Sequence, residues 1–200
     1  MNTGDARAEI MRSIRAHLAR SAHYDGRETR IHTDHPRKSV SQSTSRAVVA
    51  DFKRNLELVD GHCILVNGPL EIEDAINRIT KGKRIATSEA SLSTRDLFEY
   101  EVGITGVQLG IAETGTLVLD SSIERNRLVS LIPPVHIAVL DASRIYPTLA
   151  DALSLLQSRG EVSPAITFIT GPSRTADIEL TLAIGVHGPQ ELYVIINLDN

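Results

Sequence analysis

"VQLGIAETGTLVLDSS", residues 107–122, decides the fold. It holds two apolar β runs, VQLGIAE and GTLVLDSS, with too little chain between them for a helix, so they must close as an antiparallel hairpin. On both sides of it strands and helices alternate. The apolar runs CILVN (63–67), RIATS (84–88), HIAVLDA (136–142), AITFIT (165–170) and ELYVIIN (191–197) read as strands. Helical periodicity lies between them at 47–59, 70–80, 94–100, 148–160 and 174–185, with a short helix at 124–132. Runs such as HIAVL and YVII are continuous, not alternating, as in strands covered on both faces. Strands joined through helices need crossovers, which make a parallel sheet. The expected fold class is therefore α/β: a three-layer α/β/α domain whose mainly parallel sheet has this hairpin embedded in it.

Upstream the texture differs. DARAEIMRSIRAHLAR (5–20) sets Ile10, Ile14 and Leu18 on one side with Met11 beside them and charges opposite, the pattern of an amphipathic helix. Residues 21–46 are polar and Ser-rich and cannot supply a core element. The division expected is an N-terminal helix and polar arm at 1–46, then one α/β domain at 47–200.

Composition excludes several classes. The 200 residues carry a formal net charge of −4, and the 21 Lys and Arg are scattered, which argues against a nucleic-acid partner. Cys63 is the single cysteine, so the chain has no internal disulfide and cannot hold an iron–sulfur cluster by itself. Of seven His, only His32 and His35 are close in sequence, without a helix-borne ligand pair, and no metal site is expected. No apolar run approaches the ~20 residues of a membrane span, and no signal-peptide core opens the chain, so a cytoplasmic protein is expected.

Three small-residue loops sit at ends of expected strands, where helix N-termini and bare backbone N–H groups commonly receive ligands. AETGT (112–116) brings Glu113, Thr114, Gly115 and Thr116. TGPSRTAD (170–177) brings Gly171, Ser173, Arg174, Thr175 and Asp177, and GVHGP (185–189) brings His187 and Gly188. Glu113 is the candidate carboxylate, as base, nucleophile or hydrogen-bond organiser, against a plain Thr-Gly turn. His187, between two glycines, is the candidate proton carrier, against a His that satisfies local carbonyls. Ser173 or Thr175 with Asp177 equally suits a helix cap. Arg125 and Arg127, ahead of Pro133, Pro134 and the strand opened by His136, can clamp a carboxylate, or lie as surface charges.

Four stretches in this order, GITGVQLGIAETGTLVL, RLVSLIPPVHIAVL, GPSRTADIE and GVHGPQELYVIIN, resemble the lactate-utilisation protein C (LutC/YkgG) family of LUD-domain proteins across residues 102–197. The resemblance implies a fold like that of NagB/RpiA/CoA transferases. It also implies a place in a bacterial system oxidising L-lactate to pyruvate, whose iron–sulfur clusters sit in partner subunits, with none bound by this chain. It carries over no catalytic residue. Glu113 and His187 stand as catalytic candidates, with Thr114, Gly115, Thr116, Arg127, Gly171, Ser173, Arg174, Thr175, Asp177 and Gly188 as ligand-binding candidates around a small organic acid. Two alternatives remain open: a stand-alone acyl- or CoA-transferring or cyclo-ligase-type enzyme using Glu113, and a regulatory or scaffold subunit docking through its N-terminal helix.

Overall fold

A computed structural model describes residue 12 and residues 42–158, 163–176, 182–184 and 188–199. The amphipathic stretch at 5–20 lies outside these, apart from Arg12, which is helical and exposed. Most of the arm also lies outside. In chain order the elements are α1 (Gln42–Leu58), β1 (His62–Val66), α2 (Gly68–Thr80), β2 (Ile85–Thr87), α3 (Thr94–Leu97), β3 (Val102–Gly106), β4 (Leu109–Ile111) and β5 (Thr116–Asp120). A 3-10 turn (Arg127–Ser130) then leads to β6 (Val135–Asp141), β7 (Ile145–Tyr146), α4 (Leu149–Gln157), β8 (Ile166–Ile169), β9 (Arg174–Ala176), β10 (Leu182–Ile184) and β11 (Glu191–Asn197).

Five strands form the parallel sheet, in the order β1-β11-β6-β3-β2, so the last strand inserts between the first and the sixth. The hairpin forms with Leu109 opposite Val118 and Ile111 opposite Thr116. It nucleates a sheet of its own, β7-β4-β5-β8, in which β8 runs antiparallel to β5.

Alternation along the parallel strands divides the core. Val135, Ile137 and Val139 of β6, with Ile104 and Ile195, meet Ile72, Ala75 and Ile76 of α2. Ala138 and Leu140, with Leu192, Val194 and Ile196, face Phe52 and Leu56 of α1 and Leu117 and Leu119 of the hairpin. Each core strand is thus wetted on neither side, which is why its sequence does not alternate. Phe52 and Leu56, both fully buried, key α1 into this layer. Burying such a side chain stabilises by about 1.5–3 kcal/mol.

Three expectations need correction. Helix α1 starts at Gln42, inside the stretch read as arm. The helix expected at 124–132 shrinks to the 3-10 turn Arg127–Ser130. The helix expected at 174–185 is replaced, in its described parts, by β9 and β10, paired antiparallel with Arg174 opposite Ile184. In sequence, Ile178, Leu180, Leu182 and Ile184 recur at every second position, the period of a strand.

Candidate functional site

The turn AETGT is built against the end of α1. Gly115 has φ +64°, and a Cβ there would come within 2.3 Å of the Leu56 nitrogen, so only glycine permits both the turn and the approach. Asn55 Nδ2 donates to the Ala112 carbonyl at 2.7 Å and fixes the same contact. Glu113 is exposed, and its Oε1 accepts the Leu149 N–H at 2.6 Å. That N–H is among the unsatisfied donors of the first turn of α4, beside a capping box between Thr148 and Asp151. The carboxylate therefore serves as a helix cap reaching across from the hairpin.

A hydroxyl ladder continues from it. Thr114 Oγ1 lies 2.7 Å from Thr116 Oγ1, which lies 2.7 Å from Thr170 Oγ1. The next residue, Gly171, has φ +80° and brings the chain against Val59, whose carbonyl would sit 2.7 Å from a Cβ. Ser173 N donates to the Pro189 carbonyl at 2.8 Å, and Gly188 comes close to the Ser173 side chain. Arg174 forms an ion pair with Asp60, which holds φ 60° where α1 ends. An aspartate tolerates that left-handed position, and the guanidinium offsets its charge near the carbonyl end of the helix.

The AETGT turn and Gly171 thus meet at the C-terminal end of α1, and Gly188 and Pro189 pack on Ser173 beside them. Beside them lies a groove of about 400 Å³ lined by Glu57, Asp60, His62, Pro172, Arg174 and Gln190. His62 stacks on Tyr193 with ring centroids 4.6 Å apart, and Tyr193 Oη donates to Glu191 Oε2 at 2.8 Å. That hydrogen bond holds the phenol above its ordinary pKa. Because β1 opens at His62 and β11 at Glu191, this groove lies at the amino edge of the parallel sheet, not at the carboxyl edge where such sheets usually bind ligands.

Arg127 does not join it. Exposed in its 3-10 turn, it rides over β3, where Val129 O would stand 1.9 Å from a Cβ on Gly103. Strand β3 is two places from β11 in the sheet, roughly 10 Å across. Asp177 and His187 lie outside the described residues, and so does the side chain of Thr175.

The carboxyl edge is occupied by the protein's own groups. Asn197 Oδ1 accepts the Gly68 N–H at 2.9 Å where α2 begins, and its Nδ2 donates to Asp141 Oδ1 at 3.2 Å and to the Asp199 carbonyl at 2.9 Å. Inside the fold lies a polar set that the motif reading passed over. Gln108 Oε1 accepts the Asp120 N–H at 2.6 Å, and Asp120 Oδ1 accepts both the N–H and the hydroxyl of Ser122. Glu124 is buried close by in sequence. His136, fully buried on β6, has Nε2 2.8 Å from Thr105 Oγ1, and burial pushes its pKa down to about 3. Among the described residues neither His136 Nδ1 nor Gln108 Nε2 has a hydrogen-bond partner. The only advance signal was a histidine opening an otherwise apolar strand.

Cys63 is half-buried, and burial pushes its thiol up to about 11, which keeps it protonated. Among the described residues no group of three or more His, Cys, Asp or Glu is set to hold a metal ion, and no helix is long and apolar enough to cross a membrane.

The LUD domain profile matches residues 74–197. An uncharacterized protein of Neisseria meningitidis is 46% identical over 96 residues, 48% of this chain and 41% of its own length. A Geobacillus thermodenitrificans protein named lactate utilization protein C is 31% identical over 183 residues, 84% of this chain and 74% of its own. The crystal structure of a DUF162 family protein from Deinococcus radiodurans superposes with a TM-score of 0.62 at 23% identity, covering 77% of this chain and 98% of that one. The match spans less than half of the Neisseria relative.

Proposed function

We propose, from the premise that this chain belongs to the LUD domain family, that it acts in bacterial lactate utilisation as a component without an electron carrier of its own. Its partners in this reading are iron–sulfur subunits. Oxidation of L-lactate to pyruvate releases two electrons and two protons, and the clusters of the partners take the electrons. The observation that carries the reading is the alignment, over 84% of this chain, with a relative named lactate utilization protein C. One cysteine, held as a protonated thiol, supports the division of labour.

Within that role the groove at the end of α1 is the proposed seat of a small organic acid. The Arg174 guanidinium offers N–H groups beyond those turned to Asp60, and a planar guanidinium is suited to carboxylates. His62, on the same wall, is the proposed proton carrier. His187, which precedes Gly188 in sequence, is retained as a second proton carrier. Glu113, as cap of α4, holds the hairpin turn and does not face the acid. A role for it as a nucleophile in acyl or CoA transfer would require it to release the Leu149 N–H.

The test is lactate-dependent dye reduction by the iron–sulfur subunits, with this chain added, omitted or carrying Arg174→Gln. Dependence on the chain, with a raised KM for lactate in the variant, is the expected result. Equal rates with and without the chain refute the role, and an unchanged KM removes the acid from the groove.

A further inference from the structure

Strand β1 forms one edge of the parallel sheet, and among the described residues nothing pairs with its outer side. Its sequence, HCILV, carries none of the lysines or prolines that protect such edges. Leu65 is 43% exposed on it, and Leu58, shortly before it, is 73% exposed. Alongside runs a groove of about 500 Å³ between Leu65 and Val66 and the outer stripe of α2. Four charged residues of that stripe line it: Glu71 and Asp74 toward the start of the helix, Arg78 and Lys81 toward and beyond its end.

All four are exposed, and among the described residues Asp74, Arg78 and Lys81 are in no ion pair. Helix α2 follows β1 after a single residue and runs back along it. From Glu71 to Lys81 it covers about 15 Å, against about 13 Å for the strand, so the charged stripe and the strand edge beside it are matched in length.

We infer that β1 is the pairing edge for a second copy of this chain, joined antiparallel about a two-fold axis into one continuous sheet. A two-fold contact presents the same patch from both sides, so the patch must complement itself. This one does: the acids and the bases are equally spaced about Ile76, so reversing α2 sets Asp74 level with Arg78 of the partner subunit and Glu71 level with Lys81 of the partner subunit. A like-charged stripe, or one with acids at both ends and bases between them, would oppose this pairing. The inference stands apart from the proposed function and holds or fails without it.

The test is the solution mass of the full chain by light scattering over a range of concentrations. A dimer is expected. Asp74→Arg and Arg78→Asp, each alone, raise its dissociation constant by roughly tenfold or more, because like charges then face each other across the axis, and the two combined restore it. Both sites are exposed on the helix, so unchanged circular dichroism with a single cooperative melting transition shows that the fold survives. Leu65→Lys, a charge on the strand edge, gives a monomer. A chain that stays monomeric at every concentration overturns the inference. So does a dimer indifferent to the single reversals, or one that the combined reversal fails to restore.

Discussion

Lowering the pH should destabilise this protein through one imidazole. His136 is fully buried on the central strand β6, with Thr105 at its Nε2 and, among the described residues, no partner at Nδ1. Burial disfavours the charged ring and lowers its pKa to about 3, against about 6.5 in the unfolded chain. Between these values the unfolded state binds the proton and the native state does not. Stability from this residue is therefore complete above about pH 6.5 and declines as the pH falls toward 3. At pH 5 the unfolded histidine is almost fully charged, and the linkage relation gives a loss of about 2 kcal/mol relative to pH 7.5. Urea unfolding followed by far-UV circular dichroism at both pH values measures it. The comparison is with His136→Gln, whose amide can still reach Thr105 but does not titrate. That variant is less stable at both pH values because the ring's volume is lost. Its decline between pH 7.5 and pH 5 should nevertheless be smaller than that of the wild type by about 2 kcal/mol, since the other titrating groups are common to both. Parallel declines in the two proteins would refute the reasoning.

Gly115→Ala should destabilise by about 3 kcal/mol, from left-handed backbone strain together with the clash on Leu56, read as a lower urea midpoint at unchanged slope. Glu113→Gln should stay within about 0.5 kcal/mol of the wild type because an amide oxygen still accepts the Leu149 N–H, whereas Glu113→Ala should lose about 1 kcal/mol. In the dye-reduction assay Glu113→Gln should keep full activity; a loss there with the fold intact would make the carboxylate more than a cap. Cys63 should alkylate slowly at pH 7.5 in the native protein and rapidly in urea, since a thiol at about 11 is thiolate in roughly one molecule of several thousand; fast native alkylation would contradict its burial.

The parallel sheet was legible because strands such as HIAVLDA and ELYVIIN are apolar without interruption, and only two-sided burial requires that. The hairpin was legible because the chain from Val107 to Ser122 leaves no room for a crossover. Residues 174–184 were misread because the turn chemistry of GPSR suggested a helix start and outweighed the two-residue period of the leucines and isoleucines that follow. Polar, Ser-rich chain at the start of α1 looked like a linker because that part of a helix need not face the core. Within the candidate site, the loops could be named from their small residues, but the side of the sheet on which they gather depends on β11 lying between β1 and β6, a pairing of residues about 130 apart. The partner of Glu113 lies 36 residues along the chain and that of His136 lies 31 away, beyond any local pattern.

The insertion of β11 also sets a clock on folding. Until Glu191–Asn197 is available, β1 has no neighbour in the sheet, and β6 shows a bare edge where β11 will lie. Contacts that span most of a chain close slowly, and an unpaired edge held open meanwhile invites aggregation. During synthesis the hairpin sheet, with α1 packed on its turn, and the β3–β6 pair can assemble early, but β1 must wait for the last strand. A ribosome paused before Glu191 would therefore hold a half-built sheet whose first-made strand is still unattached.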